Sequence, residues 1–161
     1  MEQKEDFTTL IDESIRLELN VAELYDIFYN AFPEDAPFWW GFVIEEKNHA
    51  SILRSGKEHF SPADEFPREL LSPLKQLRDS NMQIVDLIKK CRRIPPSRET
   101  AFRIALDLER SSGEIHYQHF MSHDPASPLA AIFQRLNRND KNHEERILAY
   151  IASHGMRMEE A

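Results

Sequence analysis

The segment Phe38–Leu53 constrains the fold most, because its apolar residues recur at steps of three and four. That spacing places them on one face of an α-helix. In order, this face contains Trp39, Phe42, Val43, Glu46, His49, Ala50 and Leu53. A carboxylate and an imidazole thus lie within a face that should be buried, where a charge is costly unless it is paired or bound to a metal. Either the segment is not helical, or Glu46 and His49 are held by partners inside the protein.

The composition indicates a single soluble domain built from helices. A chain of 161 residues with 41% hydrophobic and 30% charged residues is large enough for one substantial core. It contains only 4 glycines, and runs that alternate apolar and polar residues are scarce, which favours an all-α fold. The net charge of −8 argues against nucleic acid as a main partner.

Cysteine content and hydropathy indicate the cellular environment. The single cysteine, Cys91, excludes an internal disulfide and a CxxC metal knuckle, and we interpret it as a structural thiol. No N-terminal apolar run resembles a signal peptide, and no segment approaches the roughly 20 apolar residues of a membrane span. We therefore expect a cytoplasmic protein without a membrane partner.

Proline-rich stretches divide the chain into five predicted helices. The breaks are FPEDAPF, SPADEFP, IPPS and HDPASP, because proline disfavours a continuous helix. We expect Asp35 or a neighbour, Ser72 and Ser97 to cap the helices that follow them. The helices are predicted at about residues 7–31, 36–59, 72–92, 98–122 and 127–153. This pattern predicts one domain over residues 1–161, an antiparallel four-helix bundle in which a long helical crossover, 72–92, joins the second and third bundle helices.

One pattern of acids and histidines occurs twice, once in each half of the chain. In each half, a lone glutamate on an apolar face is followed, on the next bundle helix, by an acid, Lys, Asn and His. Residues three apart are neighbours on a helix, so each acid and histidine can reach one point. The spacing alone is weak, since chance would give roughly one such pair, but all six residues fall within apolar faces. They are Glu18, Glu46, His49, Glu109, Asp140 and His143.

Helix geometry predicts that these six residues meet. Each lies at a comparable distance from the turn beside its helix, so antiparallel helices bring each set to about one level. The crossover helix would let the third bundle helix start at the same end as the second. The two halves would then be related by an approximate two-fold axis, with the six side chains in the middle of the bundle.

The ligand types in this site favour two divalent metal ions. Four carboxylates contribute about −4 and two neutral imidazoles contribute no charge, so two such ions bring the buried site close to neutrality. The mixed nitrogen and oxygen ligands suit iron or manganese, allow zinc and disfavour calcium. Glu46 and Asp140 are the expected bridges. The terminal ligands would be Glu18 with His49 on one metal and Glu109 with His143 on the other.

This ligand set resembles that of the ferritin-like superfamily, and within it the rubrerythrin-type di-iron domain. The resemblance also includes Tyr25 and the pair His116-Tyr117, and it covers about residues 7–153. It implies a ferritin-like bundle whose two iron ions react with peroxide or dioxygen. We expect Tyr25 and Tyr117 to be core aromatics whose hydroxyls hydrogen-bond a ligand carboxylate.

Three features depart from the rubrerythrin pattern. Asp140 stands where these proteins usually have a glutamate, and its shorter side chain puts the bridging geometry in question. Ser112 stands where a further glutamate ligand, associated with peroxide chemistry, is usual, and Glu114 is expected to face away. No cysteine-rich rubredoxin segment follows the bundle, which implies that electrons come from a separate external donor.

Several neighbouring residues receive simpler interpretations. Glu45, next to Glu46, is expected to be an exposed neighbour. Trp39 and Trp40 are expected in packing or at an interface, and the long apolar faces with the aromatic second helix favour a homodimer. A second histidine cluster fits a partly exposed helix end better than a separate metal site. Its members are His116, His119 and His123.

Three functions are consistent with the sequence. The leading hypothesis is an oxidoreductase that reduces peroxide or dioxygen at two iron ions, or at manganese. The second is ferritin-like oxidation and storage of iron, in which the metal is the substrate. The third is a helical interaction module without metal. Steady turnover with an external reductant would separate the first from the second, and a melting temperature unaffected by added metal would favour the third.

Overall fold

A computed structural model describes residues 7–59, 72–110 and 143–158, together with positions 121–122, 124, 131 and 134. Within these residues every regular element is helical and no strand occurs, which confirms the all-α prediction. None of the helices they form is long and apolar enough to cross a membrane. The elements are α1 (Phe7–Ala31), a short 3-10 helix (Pro33–Asp35), α2 (Ala36–His59), α3 (Leu74–Arg93), α4 (Arg98–Glu109) and α5 (His143–Ser153).

The proline breaks account for most of these boundaries. α1 ends before Pro33, and α2 begins at Ala36 with Pro37 in its first turn, where a missing N–H is tolerated. α3 confirms the helix predicted at 72–92 to within two residues at each end. α4 and α5 cover the beginning of the fourth predicted helix and the end of the fifth, and most of the positions between them lie outside the described residues.

α1 and α2 pack antiparallel along their length. At one end of the pair, Lys57 Nζ lies 2.6 Å from Asp12 Oδ1. At the other end, the ring centroids of Tyr29 and Trp40 are 5.4 Å apart. Residues in the middle of α1 therefore face residues in the middle of α2, where the sequence carries its acids and histidine.

α4 and α5 form a second antiparallel pair. Arg110 Nε, just after the end of α4, donates to Glu144 Oε1 at 2.8 Å near the start of α5. Toward the other end of the pair, the rings of Phe102 and Tyr150 stack with centroids 5.3 Å apart. The end of α4 and the beginning of α5 are thereby brought together.

α3 runs along α1 and returns the chain to the end of the bundle where α2 begins. Phe38 and Phe102, near the starts of α2 and α4, have ring centroids 5.3 Å apart. α3 is attached to α1 through Asn81, whose Nδ2 donates to Glu13 O at 3.1 Å and whose Oδ1 accepts from Asn20 Nδ2 at 3.1 Å. The buried apolar side chains of α3 are Leu77, Ile84, Ile88 and Cys91.

Asp35, at the end of the 3-10 helix, is fully buried and joins three parts of the fold. Its Oδ2 accepts from Arg98 Nε and its Oδ1 from Arg98 Nη2, both at 2.6 Å. Oδ1 also accepts from the Tyr150 hydroxyl at 2.7 Å. The Asp35 cluster (Asp35, Arg98 and Tyr150) therefore links the α1–α2 corner to the start of α4 and to α5. The charge-assisted hydrogen bonds from the guanidinium stabilise the buried carboxylate. The capping of α2 by Asp35 or a neighbour stays a prediction.

The two predicted serine caps have different outcomes. Ser97 caps α4 as predicted, since its Oγ accepts from Thr100 N at 3.2 Å. The prediction for Ser72 is wrong. Pro73 occupies the cap position before Leu74, with extended backbone and no side-chain cap hydrogen bond. Ser72 is therefore one residue too far from the first turn.

Aromatic side chains from three helices form the main core. The centroid of Trp39 lies 5.0 Å from that of Phe28 and 4.7 Å from that of Phe102, which confirms a packing role for Trp39. Trp40 is 46% exposed and lies against Tyr29. Cys91 lies in the same core, where burial raises the pKa of its thiol and makes it a poor nucleophile. The fully buried aromatics are Tyr25, Phe28, Trp39, Phe42 and Phe102.

Candidate metal centre

Acids and histidines from four helices lie inside this bundle. On α2, Glu46 and His49 are each 3% exposed. Glu109, the last residue of α4, is 4% exposed, and His143, the first residue of α5, is 1% exposed. Glu18 of α1 keeps 23% of its side-chain surface exposed. Five of the six predicted ligands are thus among the described residues, and four of these five are buried.

Glu18, Glu46 and His49 form a first group. One ligand atom of each lies within 4.8 Å of those of the other two. His49 Nδ1 is 3.7 Å from Glu18 Oε2 and 3.6 Å from Glu46 Oε2. These three side chains meet because Glu46 and His49 are one turn apart on α2 and the antiparallel α1 brings Glu18 opposite them.

Glu46, Glu109 and His143 form a second group of the same size. Their ligand atoms also lie within 4.8 Å of one another. His143 Nδ1 is 3.1 Å from Glu46 Oε1 and 3.2 Å from Glu109 Oε2. The rings of His49 and His143 stack, with centroids 5.7 Å apart. Glu46 belongs to both groups and directs one oxygen toward each histidine.

The carboxyl groups of Glu18 and Glu46 are hydrogen-bonded to each other. Burial, followed by the neighbouring Glu46 carboxylate, raises the pKa of Glu18 well above its usual value. Burial also opposes ionisation of Glu46, but hydrogen bonds to Glu18 and His143 outweigh it and hold the pKa of Glu46 well below its usual value. In this pair, the surroundings thus favour the neutral form of Glu18 and the charged form of Glu46.

The carboxylates around His143 favour its protonated form. Burial lowers the pKa of His143, but Glu109, Glu45 and Glu46 beside its ring outweigh burial and raise this pKa well above its usual value. Metal ligands bind in their deprotonated forms, so a divalent cation would compete with protons at both Glu18 and His143.

Tyr25 reaches the second group from α1. Its hydroxyl donates to Glu109 Oε1 at 2.5 Å, and its ring is fully buried among Phe28, Trp39 and Phe42. This hydrogen bond from the Tyr25 hydroxyl to a candidate ligand carboxylate is the contact predicted from the sequence. Because Glu109 Oε2 faces His143, the hydroxyl holds the opposite oxygen and limits rotation of the carboxylate.

Glu45 is not the exposed neighbour that the sequence suggested. Its side chain is only 21% exposed, and its Oε2 lies 2.9 Å from His143 Nε2. Arg146 Nη1 also donates to both oxygens of Glu45, at 2.7 and 2.5 Å, while its guanidinium lies 4.5 Å from the centroid of Phe42. The prediction was wrong because α5 covers this side of α2. No pattern in the sequence indicated this contact, because Glu45 and Arg146 are 101 residues apart in the chain.

Several predicted residues lie outside the described residues. These include the proposed bridge Asp140 and the proposed hydrogen-bond donor Tyr117, so both assignments remain predictions. The same applies to Ser112 and Glu114, and to the second histidine cluster of His116, His119 and His123.

Comparisons with models of known protein families, with curated proteins and with solved structures find no match for this chain.

Proposed function

We propose that this chain is a ferritin-like protein of the rubrerythrin type, which binds two iron ions and reduces peroxide or dioxygen with electrons from an external donor. Manganese or zinc could occupy the same ligands. One observation carries the proposal: Glu46 is shared by two buried groups that each contain a further glutamate and a histidine. A single metal would leave one of these groups without a cation.

The donor chemistry fits two divalent ions. The described groups supply three carboxylates and two imidazoles, and the predicted Asp140 would supply a fourth carboxylate. With both imidazoles neutral, two such ions would balance four carboxylates. The helix directions also support a ferritin-like bundle, since α3 crosses over between two antiparallel pairs, α1–α2 and α4–α5.

Residues around the ligands have separate parts in this proposal. When bound, two ferrous ions supply two electrons, enough to reduce hydrogen peroxide to water. Glu45 Oε2 lies 2.9 Å from His143 Nε2 while Nδ1 faces the carboxylates, so Glu45 would orient this imidazole as partners of metal-ligating histidines commonly do. Tyr25 orients Glu109. The apolar rings of Phe42 and Trp39 keep water away from this side of the site.

Metal content is the direct test. We expect elemental analysis of the purified protein and anomalous scattering from its crystals to give about two iron or manganese ions per chain. Glu46→Ala should lose both ions, whereas Glu58→Ala, on an exposed position of the same helix, should keep them. A metal-free wild type whose melting temperature ignores added Fe²⁺ and Mn²⁺ would contradict the proposal and favour an interaction module.

Turnover distinguishes the oxidoreductase from iron storage. We expect the reduced, iron-loaded protein to consume hydrogen peroxide repeatedly when an excess of external reductant is present. A single round of iron oxidation followed by retention of ferric iron would support storage instead.

We also propose a cytoplasmic homodimer, supported by the exposed Trp40 and Ile44 one turn apart on α2. A monomeric mass in analytical ultracentrifugation would contradict the homodimer.

A further inference from the structure

A cavity of about 240 Å³ opens beside the carboxylates of the candidate metal centre. Its described lining includes Glu18, Glu46 and Glu109 but neither His49 nor His143. The cavity therefore reaches the centre from the side of the carboxylates. At its other limit lie the exposed polar residues of α3 and α4, among them Gln83 and Asp107.

The walls of the cavity are apolar and come from three helices. Five of the six apolar side chains are only partly buried, although they pack against the main core. Apolar surface left in contact with water inside a concave cleft is unfavourable, and covering it with an apolar ligand stabilises the complex. These side chains are Leu17, Val21, Ile84, Leu87, Ile104 and Leu108.

The volume indicates the size of the ligand. A single water needs about 10–15 Å³ of such space, so peroxide or dioxygen alone would leave most of the cavity empty. Pockets for drug-sized ligands begin at about 300 Å³, slightly above the size found here. The cavity thus suits an organic molecule somewhat smaller than a drug.

We propose that this cavity binds a small, largely apolar organic molecule whose oxygen-bearing end reaches the metal centre. The inference rests on the proposed function, because the floor carries three carboxyl groups whose negative charge repels an anionic end unless cations are bound. A neutral end does not meet that repulsion. The ligand class is therefore a medium-chain molecule with one carboxylate or hydroxyl group, and the carboxylate binds well only when the protein holds metal.

Two probes of equal chain length test this inference by isothermal titration calorimetry. Zinc is used for loading because it undergoes no redox reaction. We expect octanoate to bind the zinc-loaded protein and to bind the metal-free protein at least about tenfold more weakly. We expect 1-octanol to bind both forms. The inference would be overturned if the zinc-loaded wild type bound neither octanoate nor 1-octanol.

Variants on α3 locate the binding site. Leu87→Trp fills the cavity and should weaken the binding of both probes at least about tenfold, while the number of zinc ions bound per chain stays unchanged. Met82→Trp, at a position that is 68% exposed on the same helix, should bind them like the wild type. Equal binding by Leu87→Trp and the wild type would overturn the inference. If Leu87→Trp does not fold, Ile104→Phe on α4 provides the same test. A wild type that binds 1-octanol but no zinc would refute the metal centre while leaving the cavity as a ligand site.

Discussion

Two buried clusters among the described residues contain carboxylates, and they are neutralised in different ways. The Asp35 cluster uses an arginine and a tyrosine of the chain itself, with three hydrogen bonds of 2.6 to 2.7 Å. At the candidate metal centre, the described neighbours of Glu46 are two other carboxyl groups, Glu18 and Glu109, and two imidazoles. A buried acid that serves only the fold can be paired permanently with a guanidinium. Carboxylates balanced by protons can exchange those protons for metal ions.

The largest expected difference between the clusters is their response to metal. At free Mn²⁺ about 100 times the dissociation constant, each occupied site should add about 2.7 kcal/mol to the free energy of unfolding. We expect this gain in the wild type and in Asp35→Asn, because the Asp35 cluster lies outside the centre. Glu46→Ala should show no gain. Urea denaturation with and without Mn²⁺ measures it, and an equal gain in Glu46→Ala would refute the assignment of Glu46.

In metal-free protein, a substitution in the Asp35 cluster should destabilise the fold more than a substitution at the candidate metal centre. Asp35→Ala leaves the part-buried Arg98 without its carboxylate and should cost about 3 kcal/mol of unfolding free energy. Glu18→Gln keeps the shape of the side chain and a donor toward Glu46, so it should cost less than about 1 kcal/mol.

Urea denaturation in the presence of a chelator makes this comparison, and metal analysis should show that Glu18→Gln has lost one ion. If Glu18→Gln lowered the free energy of unfolding as much as Asp35→Ala does, the centre, too, would be mainly structural.

Glu45 tests whether the centre needs support from a residue that binds no metal. Removal of a carboxylate that orients a histidine ligand typically weakens metal binding by about 10 to 100-fold. We expect a loss of this size for Glu45→Ala and a smaller one for Glu45→Gln, which retains an acceptor for His143.

Mn²⁺ titration against a competing chelator measures these affinities. Glu23→Ala is the matched control, because Glu23 pairs with Arg92 on the exposed surface. Unchanged affinity in Glu45→Ala would show that His143 is oriented without Glu45.

The smallest expected effect is the acid sensitivity of the Asp35 cluster. Burial opposes ionisation of Asp35, but Arg98 and Tyr150, with the nearby His154, outweigh it and lower the pKa of Asp35 below its usual value. The resulting stabilisation is fully present above the unfolded pKa of about 4 and is lost as the pH falls through the lowered folded pKa.

The free energy of unfolding should therefore fall more steeply below about pH 4 in the wild type than in Asp35→Asn. Urea denaturation at several acidic pH values measures both slopes. Equal slopes in the two proteins would show that Asp35 has no such role.

Local patterns predicted the helices well because their signals are local. Prolines near residues 33, 62, 73 and 95 separate the helices, and a serine three residues before Thr100 caps α4. The candidate ligands were recognisable because polar side chains interrupted apolar faces. Residues such as Glu45 could not be placed in this way, because their surroundings depend on which helix packs against them.

The sequence by itself determined the helical class, the described helix ends at the proline breaks, and the choice of Glu18, Glu46, His49, Glu109 and His143 as a set. Periodicity and proline act over a few residues, so they can be detected without a fold. Only the tertiary structure decided that Glu46 faces both histidines, that Glu45 lies against His143, and that an apolar cavity adjoins the carboxylates. Each of these depends on contacts between helices far apart in the chain, whose rotation and depth no local pattern specifies.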